Sequence, residues 1–210
     1  MAKITTEKEA LAAVRKSGMA LKDVPEELKT AEMCFEAVKQ SGYFLRYVPE
    51  NLMTVEMCLE AVKSCASVFE FVPENLKTAE MCLEAVKNYT FYLDDVPENL
   101  RTAEVCLEVV KKGGSWLKDV PENIKTAEIC LEAVMNDGNA LEYVPKNLWT
   151  AEMCLKAIRD NESRMANTTD FRGEKESTFS KLRAENARIF EEMPEKMREE
   201  VRRKLEENKR

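Results

Sequence analysis

The feature that most constrains this chain is an internal repeat of 24 residues. The same proline and the same cysteine recur at this interval, at Pro25, Pro49, Pro73, Pro97, Pro121 and Pro145, and at Cys34, Cys58, Cys82, Cys106, Cys130 and Cys154. The unit reads T-A-E-M-C-L-E-A-V-K, then five variable residues, then L-x-x-V-P-E-N-L-K. Six units are complete, the first from Thr6, and a seventh ends near Asp160. A fixed period of this length indicates a protein in which each unit packs against the next.

The first half of each unit predicts an amphipathic helix. Thr30 is suited to the N-cap position, because its hydroxyl can accept a hydrogen bond from an unpaired N–H of the first turn. Ala31, Cys34, Phe35 and Val38 then follow the i, i+3, i+4, i+7 spacing of one helical face. Each repeat is therefore expected to begin with a helix that buries one side.

The second half predicts a shorter helix that ends at the proline. In the second repeat it runs from Leu45 to Val48, because a residue before proline is disfavoured in helical geometry. A glycine follows the first helix in four repeats, where a left-handed C-cap would favour it. These glycines are Gly18, Gly42, Gly114 and Gly138.

Neither helix of a unit can enclose a core alone, so the predicted fold is an all-α solenoid of 24-residue helix-turn-short-helix repeats with a C-terminal helical appendage. The repeat array covers residues 1–160 and a polar linker covers 161–174. Residues 175–210 predict two charged helices that join at Pro194. This tail is expected either to cover the apolar face of the last repeat or to pair copies of the chain into a homo-oligomer.

The T-A-E-M-C-L-E-A-V-K and Y-V-P-E-N-L-K-T segments resemble a bacterial repeat family, domain of unknown function 4116. The resemblance covers roughly residues 6 to 160 and is specific, because it extends over a whole repeated unit. It implies a repeat module and implies no activity, substrate, cofactor or catalytic residue.

The cysteines are predicted to be reduced and buried. Six of the seven occupy one repeat position, and packed helices lie about 10 Å apart, whereas a disulfide requires Cα atoms within about 7 Å. Cys65 lies outside this ladder and is the candidate reactive thiol. No metal or cofactor site is expected, because there is no His and no C-x-x-C pair. The N-terminal residues lack a signal-peptide pattern and no apolar run is long enough to cross a bilayer, so a cytoplasmic protein is expected.

The charge distribution favours a basic partner over nucleic acid. The formal charge is −7, and residues 1 to 160 carry 19 basic and 27 acidic groups. Direct binding to nucleic acid is disfavoured, because it depends on neutralising phosphates with Lys and Arg. Within the array, one glutamate per repeat is predicted to form an acidic stripe, diluted by nearby lysines. The candidate contact residues of this stripe are Glu32, Glu56, Glu80, Glu104 and Glu128.

The residues between the helices vary among repeats and include most of the aromatic side chains. Aromatic residues anchor protein interfaces through their large rigid surfaces. Met, Ser, Asn and Lys fill the repeat positions of Tyr43 and Trp149, so we expect these two side chains to be exposed, and Trp116 with them. Phe44, Phe71 and Phe91 are at least as well explained as core residues that pack under the short helix as they are as contact residues.

The sequence lacks a recognisable nucleophile motif, and an enzyme is not predicted. The leading prediction is a non-enzymatic scaffold that binds another protein through the variable positions and the acidic stripe. The alternative is an inhibitor or regulator of phage or effector type, which would block a basic surface of a nucleic-acid-handling machine.

Overall fold

The fold is all-α and repetitive, as the sequence predicts. A computed structural model describes the backbone of residues 4–88, 93–167 and 174–207, and the side chains of the same ranges except 167 and 174–177. Those residues form α-helices and 3₁₀-helices, with no β-strand among them. The chain divides into two compact units, Met1–Leu100 and Arg101–Arg210.

Every repeat begins with an α-helix, and the C-terminal segment adds two more. The α-helices are α1 (Glu7–Lys16), α2 (Ala31–Gln40), α3 (Val55–Ser64), α4 (Ala79–Asn88), α5 (Ala103–Lys112), α6 (Ala127–Asn136), α7 (Ala151–Asn167), α8 (Glu174–Glu192) and α9 (Glu195–Glu207). The hydroxyl of the threonine before each of α1 to α7 accepts a hydrogen bond from the N–H three residues later, at 3.2–3.3 Å. The predicted N-caps are thus confirmed.

The second half of the repeat differs from the prediction, because it contains two 3₁₀-helices in place of one short helix. We call them the long and the short 3₁₀-helix of the repeat. The long ones are Gly18–Asp23, Gly42–Tyr47, Ala66–Phe71, Gly114–Asp119 and Gly138–Tyr143, with Leu93–Asp95 described in the fourth repeat. The short ones are Glu26–Leu28, Glu50–Leu52, Glu74–Leu76, Glu98–Leu100, Glu122–Ile124 and Lys146–Leu148.

The proline explains why these segments are too short for an α-helix. Val48, which precedes Pro49, is extended with φ −85° and ψ 126°, as steric contact with a proline ring requires. Val48 N–H donates to the Leu45 carbonyl at 3.0 Å, and Leu52 N–H donates to the Pro49 carbonyl at 2.9 Å. Such i→i+3 bonds close turns in segments of only a few residues.

Within the first unit, neighbours along the chain are neighbours in space. Each of α1 to α3 packs against the next α-helix, and each of α2 to α4 also packs against the long 3₁₀-helix of the preceding repeat. Cys58, Ala61 and Val62 of α3 are fully buried, as are their equivalents in α2 and α4. This one-dimensional order of packing is the order predicted for a solenoid.

The second unit repeats this order and ends in the C-terminal helices. The pairs α5 with α6 and α6 with α7 are in contact, and α8 and α9 both pack on α7. Leu182, Ile189, Met193 and Val201 of the tail are buried. The break at Pro194 is confirmed, and the tail covers the last repeat in the described structure. Association of copies through residues 175–210 stays a prediction.

The linker predicted at 161–174 was placed too early, because α7 continues to Asn167. Asn161 is buried, and its side-chain amide donates to the Asn186 side chain of α8 at 2.8 Å. This polar residue therefore lies inside the packing of α7 on α8, although its polarity suggested a loop. Residues 168–173 lie outside the described residues.

The role predicted for the glycines is also corrected. The residue after α2 is Ser41, which is extended, and Gly42 begins the long 3₁₀-helix without a left-handed conformation. The glycine is required by close approach of the next repeat, because a Cβ atom on Gly42 would lie 2.2 Å from the Ala61 carbonyl oxygen of α3. The equivalent atom on Gly114 would lie 2.1 Å from the Ala133 carbonyl oxygen.

A side chain from the next repeat also binds the backbone at this point. Gly114 N–H donates to the Asn136 Oδ1 atom at 3.0 Å, and Asn136 Nδ2 donates back to the Lys111 carbonyl at 2.8 Å. Gly18 with Gln40, Gly42 with Ser64 and Gly138 with Asp160 repeat the first of these bonds. These hydrogen bonds between repeats satisfy a backbone N–H that faces the neighbouring repeat.

Candidate functional site

The long 3₁₀-helices present one exposed position at which the repeats differ. Their second residue is exposed in each described case, and it is Met19, Tyr43, Ser67, Ser115 or Asn139. Their fourth residue is buried and nearly uniform, namely Leu21, Leu45, Phe69, Leu93, Leu117 and Leu141. The scaffold thus keeps its packing residue and varies the residue that faces solvent.

Tyr43 is the centre of an aromatic cluster in the first unit. It is 40% exposed, and its ring lies 6.4 Å from Phe44 and 6.5 Å from Tyr47 in edge-to-face arrangements. The Arg46 guanidinium lies 4.6 Å from the Tyr43 ring centroid and 4.9 Å from that of Phe71. The predicted exposure of Tyr43 is confirmed. Phe44 and Phe71 are half-buried, and Phe91 lies outside the described residues.

Trp116 is half-buried, which is less exposure than predicted. It occupies the third position of its long 3₁₀-helix, which is also the position of Phe44 and of the buried residues Val68 and Ala140. The Lys118 ammonium lies 5.8 Å from the Trp116 ring centroid. Trp116 therefore does not occupy the repeat position of Tyr43, which is the second residue of its long 3₁₀-helix, and grouping the two was wrong. Part of the Trp116 side chain still faces solvent.

The predicted exposure of Trp149 is wrong. Trp149 is 5% exposed, and its Nε1–H donates to the Val144 carbonyl at 3.1 Å. The lysines at this repeat position are half-buried: the side chain of Lys125 is 4% exposed, and its ammonium donates to the Tyr143 carbonyl at 3.0 Å. A lysine in the repeat therefore did not indicate a solvent-facing position, and Trp149 is a packing residue.

The acidic stripe is exposed, but its charge is partly paired. Glu32, Glu56, Glu80, Glu104 and Glu128 all face solvent. In the first unit, Glu32 accepts a hydrogen bond from Arg15 at 3.1 Å and Glu80 accepts one from Lys63 at 2.9 Å. Each of these bonds joins one repeat to the preceding repeat. The Glu80 carboxylate raises the pKa of the Lys63 ammonium.

The cysteine ladder is a packing feature. Its six thiols are free and fully buried, whereas Cys65 is half-buried and lies 3.2 Å from the Ser67 hydroxyl. Burial raises the pKa of the Cys34, Cys58, Cys82, Cys106 and Cys154 thiols to about 11. These thiols are protonated at neutral pH and are inert toward electrophiles, because the thiolate is the reactive form.

The sequence analysis did not predict the exposed edge that the P-E-N-L turns form. The Glu and Asn of the P-E-N-L turns are exposed in repeat after repeat, and an open groove in the first unit lies between such turns. It is lined by Glu26, Pro49, Glu50, Asn51 and Asn75. The signal was present in the sequence, since these residues are repeated as faithfully as the core without being apolar.

Within the described ranges, no helix has both the length and the apolar character needed to cross a bilayer. A family model described as "Domain of unknown function (DUF4116)" matches residues 10–53, 55–101 and 103–149, which is about two thirds of the chain. Each match spans about two of the 24-residue repeats. The comparisons with curated proteins and with solved structures gave no match.

Proposed function

The chain belongs to the family described as "Domain of unknown function (DUF4116)", and on that premise we propose that it is a non-enzymatic scaffold that binds another protein. Binding would use the exposed variable residues of the long 3₁₀-helices, together with the acidic stripe. No cofactor takes part in this proposal.

The observation that carries the proposal is the contrast between the second and fourth positions of the long 3₁₀-helix. Selection for folding alone explains the uniform buried leucines, because a repeat must fit its neighbour. It does not require Met19, Tyr43 and Asn139 to differ at an exposed position. A binding surface does require such differences, since each repeat then contacts a different part of the partner.

Tyr43 and Arg46 are suited to anchor such a contact. Tyr and Arg are enriched among the residues that dominate protein interfaces, and here the two side chains are stacked and exposed together. The contact of Arg46 with both the Tyr43 and the Phe71 rings holds the two side chains in place before binding, which reduces the entropy lost on association. Trp116 supplies a smaller exposed surface in the second unit.

The alternative, an inhibitor that covers a basic surface of a nucleic-acid-handling machine, depends on the acidic stripe alone. The pairing of Glu32 with Arg15 and of Glu80 with Lys63 lowers the net charge that the stripe presents. We therefore rank this function second. A cytoplasmic location is part of the proposal, and free thiols in a chain with seven cysteines favour a reducing compartment.

The test is affinity capture of partners from a lysate of the source cells by the tagged chain and its variants. Tyr43→Ala is expected to reduce recovery of the specific partner about tenfold or more, because truncation of an interface anchor costs about 2 kcal/mol or more. Ser67→Ala is the matched control, since Ser67 is exposed at the same repeat position but its small side chain offers little contact area. It should change recovery by less than about twofold.

A second arm tests the acidic stripe. Glu56→Gln and Glu104→Gln remove exposed carboxylates. They should lower recovery of the partner at low salt and change it less at high salt, because salt screens the charges. If recovery is insensitive to salt, to Tyr43→Ala and to Trp116→Ala, both binding surfaces are excluded.

A further inference from the structure

The last full repeat and the partial seventh repeat depart from the pattern on the outer face of their α-helices. Met135 stands where the four preceding repeats carry Lys39, Lys63, Lys87 and Lys111. Lys156 stands where the five preceding repeats carry Glu36, Glu60, Glu84, Glu108 and Glu132. An apolar residue has thus replaced a cation, and a cation has replaced an anion, in consecutive repeats.

Both departures line one cleft in the second unit. The cleft has a volume of about 420 Å³ and lies between α6, α7 and α9. Its lining residues are Met135, Glu152, Leu155, Lys156, Arg159 and Lys204. Met135 is 43% exposed, which is unusual for a large apolar side chain, and Leu155, with 8% exposure, forms an apolar floor.

Three cations and one carboxylate, that of Glu152, line the cleft, in contrast to the acidic array. Lys156 is paired with Asp160, and Lys204 is paired with Glu200 at 2.8 Å. Arg159 is exposed, and within the described part of the chain it has no carboxylate within 4.0 Å. Asp160 and Glu200 thus neutralise Lys156 and Lys204, and the Arg159 guanidinium is the cation of the cleft that is available to a ligand.

We propose that this cleft binds a short acidic segment of a partner protein in which one apolar side chain is flanked by carboxylates. The apolar side chain would lie on Met135 and Leu155, because methionine adapts its shape to varied apolar ligands. A flanking carboxylate would accept paired hydrogen bonds from the planar Arg159 guanidinium. The site shares no residue with the aromatic positions of the proposed function, so it goes beyond that proposal.

The charge of the whole chain makes this recognition local. At −7 the protein repels an acidic peptide in general, but charges separated by more than about 8 Å are largely screened at physiological ionic strength. A site that holds an available guanidinium beside an apolar surface can then retain such a peptide. A peptide with carboxylates alone, or with an apolar residue alone, matches only part of the cleft.

The test uses the full chain and a fluorescein-labelled peptide in which a central Leu is flanked on both sides by Asp and Glu. Fluorescence anisotropy is expected to show saturable binding. The variant Met135→Lys with Lys156→Glu carries the residues of the other repeats at both positions, and it should abolish binding while circular dichroism shows an unchanged helical signal. Arg159→Gln should weaken binding about tenfold or more, because it removes a hydrogen-bonded charge.

Three matched controls accompany these variants. Arg203→Gln removes a cation from the same helix as Lys204 but outside the cleft, and it should change the dissociation constant by less than about twofold. Tyr43→Ala should have no effect, which separates this site from the proposed function. A peptide with Ser in place of the central Leu should bind at least about tenfold more weakly.

The proposal is wrong if the acidic peptide does not bind, or if the restored-repeat variant binds it as tightly as the natural chain. It is also wrong if phosphatidylserine vesicles bind in place of the peptide, which would indicate a membrane surface as the ligand. Self-association that is lost in the restored-repeat variant, without peptide binding, would assign the cleft to a second copy of the chain.

Discussion

Replacing Gly114 by Ala is expected to lower the free energy of unfolding by about 3 kcal/mol, although alanine is small and apolar. The added Cβ atom would lie 2.1 Å from the Ala133 carbonyl oxygen and 2.9 Å from the Asp137 nitrogen of the next repeat. Both are backbone atoms of a packed helix end, so the two repeats must separate. Separation also breaks the hydrogen bond from Gly114 N–H to Asn136. Urea unfolding followed by circular dichroism measures the loss.

Gly113→Ala is the control, because it adds the same methyl group one residue earlier. There the Cβ atom meets only the Trp116 side chain, at 3.1 Å, and a side chain can move. We expect a change within about 1 kcal/mol. The third repeat naturally carries an alanine, Ala66, at the position of Gly114. There Asn88, the equivalent of Asn136, donates its side-chain hydrogen bond to the Glu84 carbonyl of its own helix, at 3.0 Å. Equal effects of the two Gly→Ala variants would contradict close packing at Gly114.

Raising the pH from 8 to 11 is expected to unfold the protein. Burial raises the pKa of five ladder thiols to about 11 in the folded chain, whereas an unfolded cysteine has a pKa near 8.5. The unfolded chain therefore loses these protons first, so stability is complete below pH 8 and falls as the pH rises toward 11. One pH unit corresponds to about 1.4 kcal/mol, so each thiol lowers stability by up to roughly 3 kcal/mol.

The loss of stability summed over several such thiols exceeds the free energy of unfolding of an ordinary domain, which is about 5–15 kcal/mol. The measurement is urea unfolding at successive pH values in the presence of a non-thiol reductant. The control is Cys58→Ala with Cys106→Ala, because the first repeat already carries a fully buried alanine, Ala10, at this position. That variant should lose less stability between pH 8 and pH 11. An unchanged slope would show that other groups cause the alkaline loss.

The α-helices, their N-caps and their buried face could be predicted from the sequence because they depend on local and repeated signals. Thr30 acts on the N–H of Met33, three residues away, and Cys34 and Val38 face inward because of helical periodicity alone. The prediction needed no knowledge of the neighbouring repeat. The family resemblance was confirmed for the same reason, since it depends on the repeated unit itself.

The errors arose where the next repeat determines the role of a residue. Gly42 suggested a left-handed cap, but its requirement is the approach of Ala61 from a helix 19 residues further along the chain. Trp149 suggested exposure, because lysine is normally a surface residue, but the side chain of Lys125 at the equivalent place is 4% exposed and donates a hydrogen bond to the Tyr143 carbonyl. The basic cleft was missed because Lys204 enters it only through the packing of α9 on α7.

The central claim is that each 24-residue repeat buries its apolar surface only against the adjacent repeats. Deletion of residues 55–78, one full repeat that ends at the next N-cap threonine, tests it most directly by circular dichroism and thermal unfolding. Thr54 would then precede Ala79 and the pattern would continue without a break. We expect a chain that retains its helical signal per residue and unfolds cooperatively at a lower temperature. A deleted chain that is unfolded or aggregated, as expected when a closed core loses one of its walls, would contradict the account.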